Sequence, residues 1–199
     1  MYLRPAFVEH DLDRIAALIE AHSFGLLITS EGGLDASHIP FTLARDGDTL
    51  VLEGHLAAAN PQCARLAGGA ALATFSGPHS YISPSWYRTQ PAVPTWDYAA
   101  VHVHGVLEPV TAEATVRAML RRLSAHDASY DLDAQPPAFI AGMLRGIRAF
   151  RLRGTRVEAQ WKMSQNRSAA DRESVAAALR SLGSTDVAAL VDATLPPPA

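Results

Sequence analysis

Lysine and cysteine are almost missing from this chain. Its 199 residues contain one lysine, Lys162, and one cysteine, Cys63. A single cysteine excludes an intramolecular disulfide and any zinc or iron–sulfur centre built from cysteines. Long hydrophobic runs are missing too: no stretch reaches the ~18–20 apolar residues of a membrane span. The opening MYLRPAFVEHDLDR lacks the apolar core of a secretion signal. Neither sign of charge dominates. Seventeen Lys and Arg against 20 Asp and Glu give a formal net charge of −3, and the pI is near 6.2. That predicts no global attraction to nucleic acid or to an anionic membrane. Several chemistries lack their signatures: there is no GxSxG elbow, no Walker A loop, no GxGxxG and no HExxH. The expected setting is soluble and cytoplasmic.

What is present is enough to fold. Hydrophobic residues make up 48% and charged residues 19%, which excludes a disordered chain. Asp11 to Ala21 carries Leu12, Ile15, Ala16 and Ile19 at helical spacing. Phe24 to Ser30, Leu34 to Ala44 and Thr49 to Glu53 read as strands joined by the turns around Gly32–Gly33 and Asp46–Gly47. From His55 to Ala67 the period changes to that of a helix, which Pro61 lets begin near Asn60. Ala70 to Phe75 is a strand, 77–98 a turn-rich loop, and Ala99 to Val110 a strong strand. Helices are predicted over 111–125, 137–147 and from Ser168 to Gly183, with one or two strands between Ala149 and Trp161 broken at Gly154. Strands joined by short turns predict a mainly antiparallel α+β fold, a sheet or closed barrel with a helical C-terminus. Residues 1–183 form the domain, and 184–199 a last short helix and a Pro-rich tail.

Chemistry-bearing residues concentrate in three places. The segment 77–98 holds four prolines, Trp86, Trp96, Tyr81, Tyr87 and Tyr98. A stiffened loop with flat side chains can frame a planar ligand; the same residues can equally pack the loop onto the sheet or a second subunit. The second place is WKMSQNRS (161–168), where Lys162, Ser164 and Gln165 precede a helix. Such a helix start can seat a phosphate, or Ser164, Asn166 or Ser168 can simply cap it. The third is GHLAAANPQ (54–62), a strand end entering a helix at Asn60. Of eight histidines, His102 and His104 share one strand face. Without a carboxylate-bearing metal motif, no metal site is predicted. Arg145, Arg148, Arg151, Arg153 and Arg156 form the one basic cluster, and no helix-turn-helix accompanies it, so direct DNA binding is unsupported.

Taken in order, GHLAAANPQ (54–62), GPHSYISPSWY (77–87), VPTWDYAAVHV (93–103) and KMSQNR (162–167), with SHIP (37–40) and the opening MYLRP, resemble the PaiB family of FMN-binding negative transcriptional regulators. The resemblance runs to about Gly183. It implies a split β-barrel of the FMN-binding type, a homodimer with FMN at the subunit interface. It further implies that His38, Ile39 and Pro40 lie along the flavin, and that His55 and Asn60 lie near the phosphate. Ser83, Trp86 and Tyr87, or Thr95 and Trp96, would close over the ring, while Lys162, Ser164 and Gln165 contact phosphate or ring. The family pattern has Asn where this chain has Asp97. A flavin-dependent oxidoreductase or flavin reductase using NAD(P)H is the alternative function, since split barrels need no separate nucleotide fold. A third reading, haem on His79 or His102, rests on the number of histidines.

Overall fold

Alternation of side chains sets the architecture. In the strand from Thr95 to Val110 the odd positions Asp97, Ala99, Val101, Val103 and Leu107 are buried. The even positions, among them Trp96, Tyr98, His102 and His104, face the other way. The computed structural model describes residues 1–197. In chain order its elements are α1 (Leu12–Ala21), β1 (Phe24–Thr29), β2 (Asp35–Pro40), β3 (Thr42–Asp46), β4 (Thr49–Ala57), β5 (Ala70–Ile82), β6 (Thr95–Val110), α2 (Glu113–Ser124), α3 (Pro137–Arg145), β7 (Ile147–Lys162), α4 (Ala169–Ser181) and α5 (Thr185–Asp192). Short 3-10 turns cover Pro5–Phe7, Pro61–Arg65 and Pro84–Trp86. The strands form one seven-stranded sheet in the order β2-β1-β5-β6-β7-β4-β3. The pairs β1–β2, β1–β5, β3–β4 and β4–β7 are antiparallel. The predicted antiparallel α+β fold is therefore the observed one.

The chain divides into two units, each assembled from separated segments. One comprises residues 16–75 and 102–157. Its core holds Phe41 edge-on to Phe75 and Phe150, with ring centroids 5.4 and 6.3 Å apart. Burying each ring contributes roughly 1.5–3 kcal/mol. Beside this core, Glu53 is buried between Arg122 of α2 and Arg151, its register partner on β7. The ion pairs tie α2 to the sheet, and Val116 and Met119 of α2 pack on Ala149.

The other unit comprises residues 1–15, 76–101 and the described chain from Glu158 onward. Val8 bridges Gln160, and the Glu9 amide donates to the Ala159 carbonyl at 3.0 Å. α5 packs on α4 through Val187, Ala188 and Val191, all buried. Arg172 reaches Thr194, and Arg180 pairs with Asp192. The predicted tail lies partly outside the described residues.

Six local expectations change. The strand predicted over Leu34 to Ala44 is two strands, β2 and β3, parted at Phe41, and the helix predicted over 137–147 stops at Arg145, with Ile147 opening β7. The helix predicted from His55 is strand as far as Ala57, because His55, Leu56 and Ala57 pair with Ala149, Arg148 and Ile147. The helical part shrinks to the 3-10 turn after Asn60, which caps it by accepting from the Gln62 amide at 2.9 Å. The aromatic loop is shorter than expected, since β5 continues to Ile82 and β6 begins at Thr95. Finally β7 runs unbroken through Gly154, where an added Cβ would meet the Leu50 carbonyl at 2.9 Å. The glycine permits close strand approach there.

Candidate cofactor site

In the unit holding the chain ends, three strand termini supply a cluster. β5 contributes His79 and Tyr81, β6 begins with Thr95 and Trp96, and β7 ends with Lys162. Period-two alternation turns Trp96 outward and Asp97 inward. Trp96 is 54% exposed and Tyr81 46%. Their rings meet edge to face at 6.1 Å, and His79 lies 6.3 Å from Trp96. An exposed aromatic group of this size is unusual on a sheet face unless something covers it.

Lys162 is anchored to the same edge. Its ammonium donates to Thr95 Oγ1 at 2.8 Å, to the Trp96 carbonyl, and to Asp97 Oδ1 at 3.3 Å, and it lies 5.9 Å from the Phe7 ring. Asp97 is fully buried. Burial pushes its carboxyl above the ordinary carboxylate range, while the Ser164 hydrogen bond and the Lys162 charge pull the other way. Ser164 donates to Asp97 Oδ2 at 2.7 Å. It does so from a left-handed backbone conformation, φ 58°, the single non-glycine positive φ among the described residues. For a residue with a Cβ this costs roughly 1–2 kcal/mol, so the Asp97 contact holds a strained turn in place. Gln165 belongs to that turn as well. Its Oε1 accepts from the Met163 amide at 2.7 Å and its Nε2 donates to the Trp161 carbonyl at 2.5 Å. Ser168 then caps α4 through the Asp171 amide.

The aromatic loop divides in its roles. Ser83 caps the Pro84–Trp86 turn and lies 2.8 Å from the Ser85 hydroxyl. Trp86 is half-buried. Tyr87, expected over a ring, is instead buried, with the Arg167 guanidinium 4.3 Å from its ring centroid. The guanidinium covers one face of the ring. Thr89 fastens the loop to α4 through Asp171 at 2.9 Å.

In the other unit, His38 is exposed on β2 and stacks on the exposed Phe24, centroids 6.0 Å apart and planes 22° from parallel. Ile39 is a core residue and Pro40 is half-buried. Asn60 has both ends of its amide engaged, Nδ2 with Ser37 at 3.0 Å and Oδ1 with the Gln62 amide. It starts a turn of five residues, too short for the phosphate-seating helix expected there. The buried Gln62 donates to the Leu27 carbonyl and Thr29 hydroxyl, joining turn to strand. His55 does not join Asn60. It faces α2 and α3 in an apolar cavity, and burial lowers its pKa below the ordinary 6.5. A neutral imidazole among hydrocarbons is unsuited to hold a phosphate.

Sequence reasoning named His79 only as a haem ligand, and missed Tyr81 and the anchoring part played by Asp97. The signal was there: alternation from Ser76 through Ile82 is that of a strand, masked by Pro78 and Pro84.

Residues 1–156 match the family model described as "Putative FMN-binding domain". The chain belongs to this family, the PaiB family of FMN-binding split-barrel proteins. A PaiB-family relative from Bacillus subtilis, "Protease synthase and sporulation protein PAI 2", is 34% identical over 177 residues, covering 86% of this chain and 85% of its own. Two solved structures share the fold. The flavocytochrome Anf3 of Azotobacter vinelandii superposes with a TM-score of 0.62 at 13% identity, over 80% of this chain and 72% of its own. A conserved hypothetical protein of Mycobacterium tuberculosis does so with 0.60 at 13% identity, over 84% and 94%. At such identities the likeness establishes the split barrel alone. The PaiB-family match covers the β-strands from β1 to most of β7, and leaves α4 and α5 outside it.

Proposed function

We propose that this protein holds FMN as a homodimer and works as a flavin-responsive regulator of the PaiB type. The observation carrying the reading is the exposed Tyr81–Trp96 surface with Lys162 and Thr95 beside it. A flavin needs a flat apolar face and polar groups for its ring oxygens and phosphate, and this donor set offers both. Tyr81 and Trp96 would cover one face of the ring and exclude water there. Lys162 would supply positive charge, tempered by Asp97, and keep Thr95 and the Trp96 main chain in position. Ser164 and Gln165 act behind it, fixing the turn that carries Lys162. Bound FMN supplies a redox centre that takes or gives two electrons. Ser83 and Trp86 are retained at the loop; His38, exposed on Phe24 in the other unit, with Ile39 and Pro40, stands as a separate candidate. His55, Asn60 and Tyr87 are not part of this set. A partner subunit would cover the aromatic surface and complete the slot.

Regulation would be indirect. Three of the five arginines of the basic cluster have side-chain partners: Arg151 holds Glu53, Arg153 holds Asp46 and Glu108, and Arg156 bonds His104, while Arg148 donates to the Arg145 and Ile147 carbonyls. Charges already paired release few counterions on DNA. The test is to mix the purified protein with FMN, desalt it, and record the visible spectrum and the sedimentation coefficient. A retained flavin band with a dimer, both lost in Trp96→Ala, supports the reading. A colourless protein, or a flavin-bearing monomer, refutes it. NAD(P)H oxidation above the free-FMN rate would move the protein to the oxidoreductase class.

A further inference from the structure

α2, α3 and the 125–136 connection enclose, with β4 and β7, a cavity of about 370 Å³. Leu120, Leu123 and Ile140 line it, together with Phe139 and Met143, which remain 53% and 55% exposed. None of the lining residues is Lys, Arg, Asp or Glu. Its polar features are the imidazole of His55, the hydroxyl of Ser124 and the phenol of Tyr130, a residue 41% exposed that shares its hydroxyl with solvent. Burial keeps the His55 ring neutral, and no hydrogen bond to it is found among the described residues. The hydroxyl of Ser124, which also lines the cavity, is taken up by the Arg121 carbonyl at 3.2 Å.

A neutral imidazole carries one donor and one acceptor. His55 is half-buried, and a ligand hydroxyl able to pair with its ring gains a hydrogen bond in apolar surroundings. Filling the space with apolar side chains from another protein would leave the ring unpaired. An anion would meet no cation. The volume lies at the small end of the ~300–1,000 Å³ typical of ligand pockets. We infer that this cavity is a ligand site separate from the flavin, for a small neutral hydrocarbon-rich molecule bearing one hydroxyl group, hydrogen-bonded to His55. The hydrocarbon is buried by Leu120, Leu123 and Ile140, and Phe139 and Met143 of α3 close over it.

The test uses 2-naphthol and naphthalene, which differ by that hydroxyl. Each is titrated calorimetrically into the full-length protein, with and without FMN. One site per chain is expected, with 2-naphthol bound about tenfold more tightly, the value of one hydrogen bond to a buried group. His55→Leu should bring the two affinities together without changing that for naphthalene. Leu123→Trp should abolish both, and neither variant should alter FMN retention. Equal binding of the two compounds by the wild type overturns the proposal, as does a 2-naphthol preference that survives His55→Leu. Absence of binding by either compound also overturns it, and a dimer that dissociates in Phe139→Asp while neither compound binds would identify the face as an interface instead.

Discussion

Replacing Asp97 separates two roles that its carboxylate combines. In Asp97→Ala two hydrogen bonds vanish at once. The Ser164 hydroxyl, 2% exposed as a residue, loses its acceptor, and Lys162 loses its counter-charge. Breaking a buried pair by removing one partner costs about 3–5 kcal/mol. Lys162 keeps Thr95 and the Trp96 carbonyl, and its side chain is 21% exposed, so water screens part of the loss. The lower end, about 3 kcal/mol, applies. For a chain of this length that lowers Tm by roughly 6–12 °C. Asp97→Asn behaves differently. Its amide oxygen can accept from Lys162 and its NH2 can donate to the Ser164 hydroxyl, so the bonds survive and the buried charge is gone. A change within about 1 kcal/mol of wild type is expected. The sign with pH follows from the raised carboxyl pKa. Asp97 contributes its stability when protonated, below the unfolded carboxylate range, and loses it as pH rises through the folded value. Asp97→Asn therefore gains on wild type from acid toward neutral pH. The assay is urea unfolding of the three proteins between pH 4 and 7.5. If Ala and Asn lose stability equally, the carboxylate is not what holds the strained turn.

Other outcomes follow from the same geometry. Lys162→Met should weaken FMN retention by roughly 10–100-fold, the value of a charge-assisted hydrogen bond, while Asp97→Asn strengthens it by removing the counter-charge beside the ammonium; fluorescence titration of FMN reads both. In Gly105→Ala the added carbon would overlap the Arg153 carbonyl of β7, a backbone atom that cannot rotate away. A loss of about 1–3 kcal/mol is expected, measured by the urea midpoint. For His55 the folded pKa lies below the unfolded value, so stability is fully present above pH ~6.5 and falls as pH drops through the folded value. The nearby Glu53 is already held by Arg122 and Arg151. His55→Leu should flatten that part of the pH profile relative to wild type, and an unchanged slope would show that His55 is not the group responsible.

Local chemistry was legible where it acts within a few residues. Asn60 and Ser168 cap the turns their neighbours suggested, because a side-chain oxygen reaches an amide two or three positions on. Long-range pairing was not. His55 to Ala57 has an ambiguous period, and β7, roughly 90 residues later, makes it strand. The same holds for β5 beyond Phe75, where prolines imitate a loop. Of the candidate site, the motifs named Lys162 in one segment and Thr95 and Trp96 in another, and the contact between them appears only in the fold. They could not distinguish Tyr81, which faces out, from Tyr87, which is buried under Arg167, since which ring is covered depends on α4 and its preceding turn.

The bridge between Val8 and Gln160 has a consequence for how the chain is made. Val8 leaves the ribosome roughly 150 residues before its strand partner exists, a delay on the order of 10–30 s at ordinary rates of synthesis. During that time the first segment, with Phe7 and Ile15, has no completed core to enter. The unit that carries Trp96 and Lys162 is thus finished last, after the segments between have been translated. A nascent chain stalled before Gln160 would expose those apolar residues to chaperones, and flavin capture at Lys162 would be a post-translational event.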